Sequence, residues 1–274
     1  MSLKNNIDIY GQTDVGSVRD HNEDAITTNP DIGLCVLADG MGGHKGGEMA
    51  SAITIGTVFE RVTEDIQHIK NGQIDKDTGF TLESKTVHDA VILANSNVYI
   101  SSSENEKYRG MGTTVVVVLF YDNRFTVAHV GDSRLYRLRD GKLEAVTRDH
   151  SLMQELIDRG FYTPEQARTS MNKNLVTRAI GIEEMVQVDI TEDVAMVDDI
   201  YMMCSDGVTD MIDDELIEAT MLNCGTDLEK MASELIREAN DAGGKDNISV
   251  ICARPIKPFP AKNSLFSRFF DIFS

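Results

Sequence analysis

Short runs of apolar residues recur along the chain, and most have the length of a strand rather than of a helix. A short continuous apolar run is typical of a strand that is buried on both faces of its sheet. The pattern predicts strands at 8–14, 33–38, 113–121, 124–130, 134–139, 142–147, 186–190, 200–205 and 248–253. Asp122-Asn123 and Asp140-Gly141 connect two pairs of these strands, and both dipeptides favour the tight turn of a β-hairpin.

Longer segments carry apolar residues at helical spacing. In residues 45–70 these form a broad stripe of Met49, Ile53, Val58, Phe59, Val62, Ile66 and Ile69. The same spacing predicts helices at 81–100, 213–223 and 226–239, and two short helices within 151–180. No repeat or Pro/Gly-rich linker divides the body, so we expect one α+β domain over residues 1–255 and an amphipathic tail at 256–274.

The charge balance excludes one class of partner. The chain has 274 residues and a formal net charge of −19. Proteins that bind nucleic acid need a basic surface, so the composition argues against nucleic acid as a partner. An anionic membrane surface is disfavoured for the same reason.

The cysteines indicate a reducing compartment. Cys35, Cys204 and Cys252 lie inside apolar runs, Cys224 lies at a predicted helix end, and no CxxC pair occurs. We therefore expect buried thiols in a cytoplasmic protein. The polar N-terminus predicts no signal peptide, and no apolar run approaches the ~20 residues that a transmembrane helix needs.

Several predicted strands lie next to an aspartate. Asp39 follows the run at 33–38, Asp206 follows the one at 200–205, and Asp246 precedes the last strand. Carboxylates that converge in this way repel one another unless a cation lies between them. Hard divalent cations prefer oxygen ligands, so the pattern predicts a Mg²⁺ or Mn²⁺ site.

Six short segments in one order resemble the signatures of the metal-dependent, type 2C Ser/Thr protein phosphatases in their bacterial form. They are 13–24 (TDVGSVRDHNED), 39–44 (DGMGGH), 110–114 (GMGTT), 130–134 (VGDSR), 205–207 (SDG) and 246–247 (DN). One such segment would carry little weight, but six in the family's order indicate a resemblance that spans about residues 8–254.

The resemblance implies a fold and a reaction. The fold is a four-layer α/β/β/α sandwich, in which two mainly antiparallel sheets are flanked by helices. The reaction is the hydrolysis of phosphoserine and phosphothreonine in proteins by a water that two Mn²⁺ or Mg²⁺ ions activate, with a weaker third ion beside them. The implied partners are phosphorylated Ser/Thr proteins and the Ser/Thr kinases that the enzyme opposes. We expect a monomer.

The resemblance also assigns roles to individual residues. Asp39 is expected to bridge two metals, and the carbonyl of Gly40 to bind one of them. The full set of implied ligands is Asp39, Gly40, Asp206 and Asp246, then Glu23 and Asp24 for the second metal, and Asp132 for the third. Together with Arg19, three of these aspartates form the expected catalytic set of Arg19, Asp39, Asp206 and Asp246.

Two of these residues also have simpler explanations. Arg19 is expected to hold the substrate phosphate, because a planar guanidinium can bind two phosphoryl oxygens at once. The alternative for Arg19 is a surface ion pair with Asp20 or Glu23. Asp132 alternatively caps the turn in its Gly-Asp-Ser segment.

The group that protonates the leaving oxygen is open. Many eukaryotic relatives have a His directly after the Asp-Gly pair, where this chain has Met41. A metal-bound water and His44 are the two candidates, and Asn247 is a further candidate site residue next to Asp246. Residues 147–181 resemble the bacterial flap beside the active site, with Ser170-Met171 in place of the usual His-Pro. His150, Arg148 and Asp149 are expected to anchor this flap.

Two alternatives remain beyond the site residues. The first is a catalytically silent metal-binding signalling module of the same fold, which would retain the ligands but lack turnover. The second concerns the tail, where Leu265, Phe266, Phe269, Phe270 and Phe273 recur at helical spacing. We expect this tail to fold back on its own domain, and docking on a partner or a membrane is the alternative.

Overall fold

In the computed structural model, which describes residues 2–42, 45–69, 72–163, 166 and 175–260, the strands form two antiparallel sheets. The strands are β1 (Ile7–Asp14), β2 (Asp24–Asn29), β3 (Leu34–Met41), β4 (Gly112–Thr113), β5 (Val115–Tyr121), β6 (Arg124–Val130), β7 (Arg134–Arg139), β8 (Lys142–Ala145), β9 (Asp189–Val194), β10 (Ile200–Cys204) and β11 (Ile248–Pro255). One sheet has the order β1-β11-β10-β7-β8, and the other has β2-β3-β5-β6-β9 with β4 paired to β3.

Helices cover the outer face of each sheet. They are α1 (Lys45–Asp65), α2 (Leu82–Glu104), α3 (Leu152–Asp158), α4 (Asp206–Thr209), α5 (Asp214–Cys224) and α6 (Leu228–Asp241). One apolar cluster joins α1 and α2 to the six-stranded sheet, a second joins α5 and α6 to the five-stranded sheet, and a third fills the space between the sheets. The expected four-layer α/β/β/α sandwich is therefore confirmed.

The central strands are apolar throughout because both of their faces are buried. Along β5, Val115, Val117 and Leu119 pack under the helices, whereas Val116 and Val118 pack between the sheets. Side chains alternate between the two faces of a strand, so one apolar run supplies two separate cores.

The predicted hairpins form as expected. Asp122 and Asn123 have φ of 45° and 55°, and Asp140 and Gly141 have φ of 52° and 77°. Positive φ at both central positions is the geometry that a two-residue hairpin loop requires. All four cysteines are buried and free, as predicted.

Three elements differ from the sequence prediction. Strand β2 was missed, because DAITTN has only two apolar residues, and its pairing comes from β3. Strand β9 lies at Asp189–Val194 rather than at 186–190, since this polar edge strand is placed by β6. The short helix α4 was also missed; it begins at Asp206.

The chain continues on the body after β11. The Ile256 N–H donates to the Asn6 carbonyl at 2.7 Å, and Phe259 packs into the core between the sheets at 6% exposure. The apolar tail residues at 265–273 lie outside the described residues. Within the described part, no helix is long and apolar enough to cross a membrane.

Candidate metal centre

Asp24 and Asp39 lie opposite each other on neighbouring strands. The register of β2 and β3 pairs these two residues directly. The backbone of Asp39 is fixed by Thr113 of β4 and by Thr114, which joins β4 to β5. The Asp39 N–H donates to the Thr114 hydroxyl at 3.2 Å, and the Asp39 carbonyl accepts from the Thr114 N–H at 2.8 Å and from the Thr113 hydroxyl at 2.7 Å. The six-stranded sheet therefore supplies two carboxylates on a rigid support.

Asp206 and Asp246 come from the five-stranded sheet. Asp206 follows β10 and begins α4, whereas Asp246 precedes β11. The ends of these two strands are joined by the Ser205 N–H, which donates to the Ser249 carbonyl at 3.1 Å, and by the Ser249 N–H, which donates to the Ser205 hydroxyl at 3.0 Å. Both sheets thus contribute carboxylates to the same end of the sandwich.

The charges of these carboxylates act on one another. Burial raises the pKa of Asp39 well above its ordinary value, and the charges of Asp24 and Asp206 raise it further. Burial likewise raises the pKa of Asp206 well above its ordinary value, with Asp132 and Asp246 as the next causes. The structure therefore brings together the five aspartates that the sequence proposed for one site.

Asp24 and Asp132 are the most enclosed members of this cluster. Each is 8% exposed. Burial raises the pKa of Asp24 to about 6, although the Ser249 hydroxyl donates to its Oδ2 at 2.7 Å. Burial and the charge of Asp149 raise the pKa of Asp132 to about 6.

The residues fit a divalent cation. Oδ1 of Asp24 and Oδ1 of Asp206 are buried and have no hydrogen-bond partner. A buried carboxylate oxygen without a donor is destabilising unless a proton or a cation compensates it. Several carboxylates together make up the oxygen-rich ligand set that Mg²⁺ and Mn²⁺ prefer.

Gly40 and Gly47 leave room for each other and for Glu23. A Cβ added to Gly40 would collide with the Gly47 and Glu23 carbonyls. A Cβ added to Gly47 would collide with Oε2 of Glu23 and would lie 2.8 Å from the carbonyl oxygen of Gly40. The start of α1 therefore approaches the Asp-Gly turn so closely that only glycine fits at both positions.

Arg19 points at the cluster. Its Nη2 donates to Oδ2 of Asp246 at 2.6 Å, and half of its side chain is exposed. The sequence analysis offered a surface ion pair with Asp20 or Glu23 as the alternative, whereas the ion-pair partner is Asp246. Burial lowers the pKa of Arg19, but the charges of Asp246, Glu23 and Asp206 outweigh it, so the pKa is raised. The guanidinium therefore lies beside the carboxylates and faces solvent.

Asn247 holds the loop that carries Arg19 and Glu23. Its Nδ2 donates to the Val15 and His21 carbonyls, both at 2.9 Å, and its Oδ1 accepts from the Glu23 N–H at 2.8 Å. These bonds use both amide hydrogens and the carbonyl oxygen of a side chain that is 4% exposed. The side chain of Asn247 is thus committed to the loop backbone.

Some of the predicted site lies outside the described residues, namely His44 and the Ser170-Met171 segment of the flap. Other supporting residues were missed by the sequence reasoning: Thr114, Ser249 and Gly47. The sequence does contain a sign of Gly47, because this residue ends the glycine-rich run at 40–47. A cavity of about 530 Å³ lies elsewhere, beside Lys85, His129 and Asp189.

Comparisons with known proteins identify one family. Residues 16–249 match the family described as Protein phosphatase 2C. The chain is 36% identical over 244 residues to the serine/threonine protein phosphatase PstP of Mycobacterium tuberculosis. The aligned region covers 88% of this chain and 44% of PstP. It is 34% identical over 243 residues to the serine/threonine phosphatase stp of Listeria monocytogenes, and this aligned region covers 88% of this chain and 92% of stp. The chain thus spans less than half the length of PstP.

Solved structures of PstP have the same fold. The M. tuberculosis PstP/Ppp structure has a TM-score of 0.80 and 34% identity, with 91% of this chain and 99% of that chain covered. The PstP catalytic domain in complex with two manganese ions has a TM-score of 0.76 and 33% identity, with 92% of this chain and 99% of that chain covered. With a family match over 16–249 and carboxylates from both sheets at one site, the chain belongs to the protein phosphatase 2C family, whose members are enzymes that use divalent metals.

Proposed function

We propose that this chain hydrolyses phosphoserine and phosphothreonine in proteins and uses divalent cations held by the carboxylate cluster. The observation that carries the proposal is the convergence of five aspartates from both sheets, two of which have a buried oxygen without a donor. The family match and the names of the relatives support the same reaction class.

The residues that would hold the cations follow from the arrangement. Asp39 would bridge two ions, with the Gly40 carbonyl, Asp206 and Asp246 as further ligands. Glu23 and Asp24 would hold the second ion and Asp132 a weaker third. Bound divalent cations would supply positive charge at the phosphoryl oxygens and a lowered pKa for water. We propose Mn²⁺ or Mg²⁺ because all these ligands are oxygens.

The role proposed for Arg19 is to bind and orient the phosphoryl group. Its guanidinium is half exposed and is anchored on one side by Asp246, which leaves donors that can face a substrate. An arginine binds two phosphoryl oxygens in one plane. The loop bonds of Asn247 fix the backbone that carries this arginine.

The proposed setting is the cytoplasm, where the chain would oppose a Ser/Thr kinase as a monomer. Four free, buried cysteines are consistent with a reducing compartment. The proposed substrates are phosphorylated Ser/Thr proteins, and the acidic charge of −19 argues against nucleic acid. For the apolar tail at 265–273 we propose docking on the domain itself.

The test is phosphate release from a phosphothreonine peptide with Mn²⁺, with Mg²⁺ and with EDTA. We expect turnover with either metal and none with EDTA. Asp8→Asn is a matched control for substitutions in the cluster, because Asp8 is an exposed aspartate on β1. Direct Mn²⁺ binding is measured in parallel by calorimetry.

The binding measurement separates the proposal from its rival. Turnover that requires metal supports the phosphatase. Stoichiometric Mn²⁺ binding without turnover on any phosphopeptide would instead establish the silent signalling module. Neither binding nor turnover would contradict both functions.

A further inference from the structure

A second polar cluster lies at the base of the flap and consists of His129, His150, Arg178 and Asp189. The two imidazoles are buried, at 5% and 7% exposure, and stack with ring centroids 4.6 Å apart and an interplanar angle of 19°. Arg178 Nη1 lies 2.7 Å from Oδ1 of Asp189 and 3.0 Å from Nε2 of His150. We call these four residues the flap-base cluster.

The flap-base cluster contains metal-ligand types but lacks the geometry of a metal site. Three possible ligand atoms lie within 4.8 Å of one another in His129, His150 and Asp189. Among the described residues, the carboxylates of the candidate metal centre do not form such a group. Imidazole binds a metal in the plane of its ring at about 2.0–2.1 Å. Two nearly parallel rings cannot both meet that condition for one ion, and the guanidinium of Arg178 would repel it. The cluster is therefore a hydrogen-bonded junction.

The partners of each ring fix its proton. The Gly131 N–H can only donate, so Nδ1 of His150 accepts from it at 3.1 Å, and we place the ring proton on Nε2, which is 3.3 Å from Oδ2 of Asp189. Nη1 of Arg178 lies 3.0 Å from the same Nε2, but its two hydrogens have acceptors in Oδ1 of Asp189 and the Gln187 carbonyl. The carbonyl of Arg148 can only accept, so Nε2 of His129, at 2.8 Å, must donate. Burial, together with the neighbouring His129 and Arg178, lowers the pKa of His150 to about 4, which keeps the ring neutral.

His150 holds Gly131 from both sides of its peptide backbone. Besides the bond to Nδ1, the His150 N–H donates to the Gly131 carbonyl at 2.9 Å. Gly131 has φ of 109°, and a Cβ there would lie 2.6 Å from Cβ of Thr114. The next residue is Asp132, so the position of this carboxylate depends on the two bonds from His150.

The other side of the same loop is fixed by the candidate metal centre. Ser133 Oγ and Thr114 Oγ1 are 2.7 Å apart, and Thr114 exchanges two bonds with the backbone of Asp39. The His150 carbonyl accepts from the Thr177 N–H at 2.8 Å, where the chain returns from the flap. A continuous set of bonds therefore connects the flap base to Asp39 through the loop that carries Asp132.

We infer that His150 is a positioning residue that holds Asp132 in place for a cation and couples this carboxylate to the base of the flap. The inference rests on the proposed function, because it takes Asp132 as a ligand of the weaker cation. His150 touches neither the substrate nor the cation. Its effect is on the affinity of that one ion.

The first test uses Mn²⁺ binding followed by electron paramagnetic resonance of the free ion, together with kinetics on a phosphothreonine peptide. Loss of the bond to Gly131 in His150→Leu should weaken the weakest class of Mn²⁺ binding about ten-fold and leave the tighter class within about two-fold. His150→Asn retains an acceptor near the position of Nδ1 and should restore most of the affinity. His88→Leu, which removes an exposed histidine that pairs with Asp89, is the control and should resemble the wild type.

The outcomes are separable. If His150→Leu binds every class of Mn²⁺ like the wild type, or if His150→Asn is as impaired as His150→Leu, the inference is wrong.

A second measurement needs no variant: nitrogen-detected NMR of the metal-free wild type should show His150 neutral with its proton on Nε2 at pH 7. A proton on Nδ1 would overturn the inference even if the substituted proteins do not fold. Absence of any Mn²⁺ binding in the wild type would instead contradict the proposed function and leave the NMR result intact.

Discussion

The candidate metal centre and the flap-base cluster are both buried and polar, but their charges are balanced in different ways. In the flap-base cluster, the carboxylate of Asp189 faces Arg178, and each imidazole has a donor or acceptor that matches it. In the metal centre, carboxylates face carboxylates, and two of their oxygens have no donor. A cluster that satisfies itself can serve as a structural junction, whereas a cluster of like charges needs ions from solution.

The largest expected effect is the loss of one charge in the metal centre. Asp39→Asn removes the carboxylate on which the charges of Asp24 and Asp206 act, so we expect phosphatase activity to fall at least about 10³-fold. The metal-free protein should be as stable as the wild type or more stable, because like-charge repulsion decreases. Kinetics and thermal unfolding without metal check both points, with Asp8→Asn as the control. Activity within about ten-fold of the wild type would contradict the bridging role.

The second prediction concerns the pH dependence of the metal-free protein. Asp24 and Asp132 have folded-state pKa values of about 6, above the ordinary 3.8. The native state therefore binds more protons than the unfolded state between these values, so its stability should decrease as pH rises from about 4 to about 6. Urea unfolding in EDTA measures this slope. Saturating Mn²⁺ at pH 7 should restore stability, by about 2.7 kcal/mol at 100 times the dissociation constant.

A third prediction compares two glycines of the same helix. Gly47→Ala forces its Cβ against Glu23 and Gly40, whereas a Cβ on Gly56 meets nothing within 4 Å. We expect Gly47→Ala to lower activity about ten-fold and to raise the Mn²⁺ requirement, because both displaced groups are proposed ligands. Gly56→Ala should keep full activity and stabilise the protein by about 0.5–1 kcal/mol. Equal behaviour of the two variants would show that the close approach at Gly47 is not needed.

The fourth prediction has the opposite pH sign and comes from the flap-base cluster. The pKa of His150 is lowered from 6.5 to about 4. The unfolded chain therefore binds more protons in this range, and the contribution of His150 to stability should be lost as pH falls from about 6.5 to about 4. The difference in unfolding free energy between wild type and His150→Asn, measured at several pH values, gives the contribution of His150 to stability. A difference that does not change with pH would contradict the buried neutral ring.

Local sequence was sufficient for the strands that are apolar on both faces. Strand β5 and the hairpin turn at Asp122-Asn123 were predicted because burial and turn chemistry act on residues that are adjacent in the chain. Strand β2 was missed for the opposite reason: its six residues are mostly polar, and its conformation depends on pairing with β3. The direct pairing of Asp24 with Asp39 could not be seen without that register.

The same distinction holds for the site. The sequence proposed Asp39, Asp206, Asp246, Asp24 and Asp132 as one group, and the structure places their charges within reach of one another. Nothing in the sequence indicated that the side chain of Asn247 forms hydrogen bonds with the loop backbone, or that Gly47 makes room for Glu23. Those roles depend on atoms that are distant in sequence, so no local pattern encodes them.

The sequence by itself determined the α+β class and the carboxylates of Asp39, Asp206 and Asp246, because strand burial and the aspartates next to strands can be recognised from neighbouring residues. The sandwich architecture and the remaining ligands were expected from the resemblance to a family. Only the tertiary structure decided which carboxylate oxygens lack a donor, and that His129 and His150 stack although the hairpin of β7 and β8 separates them in the chain. The physical reason is that charge repulsion and hydrogen bonding depend on distances in space. Those distances exist only once the two sheets have packed together.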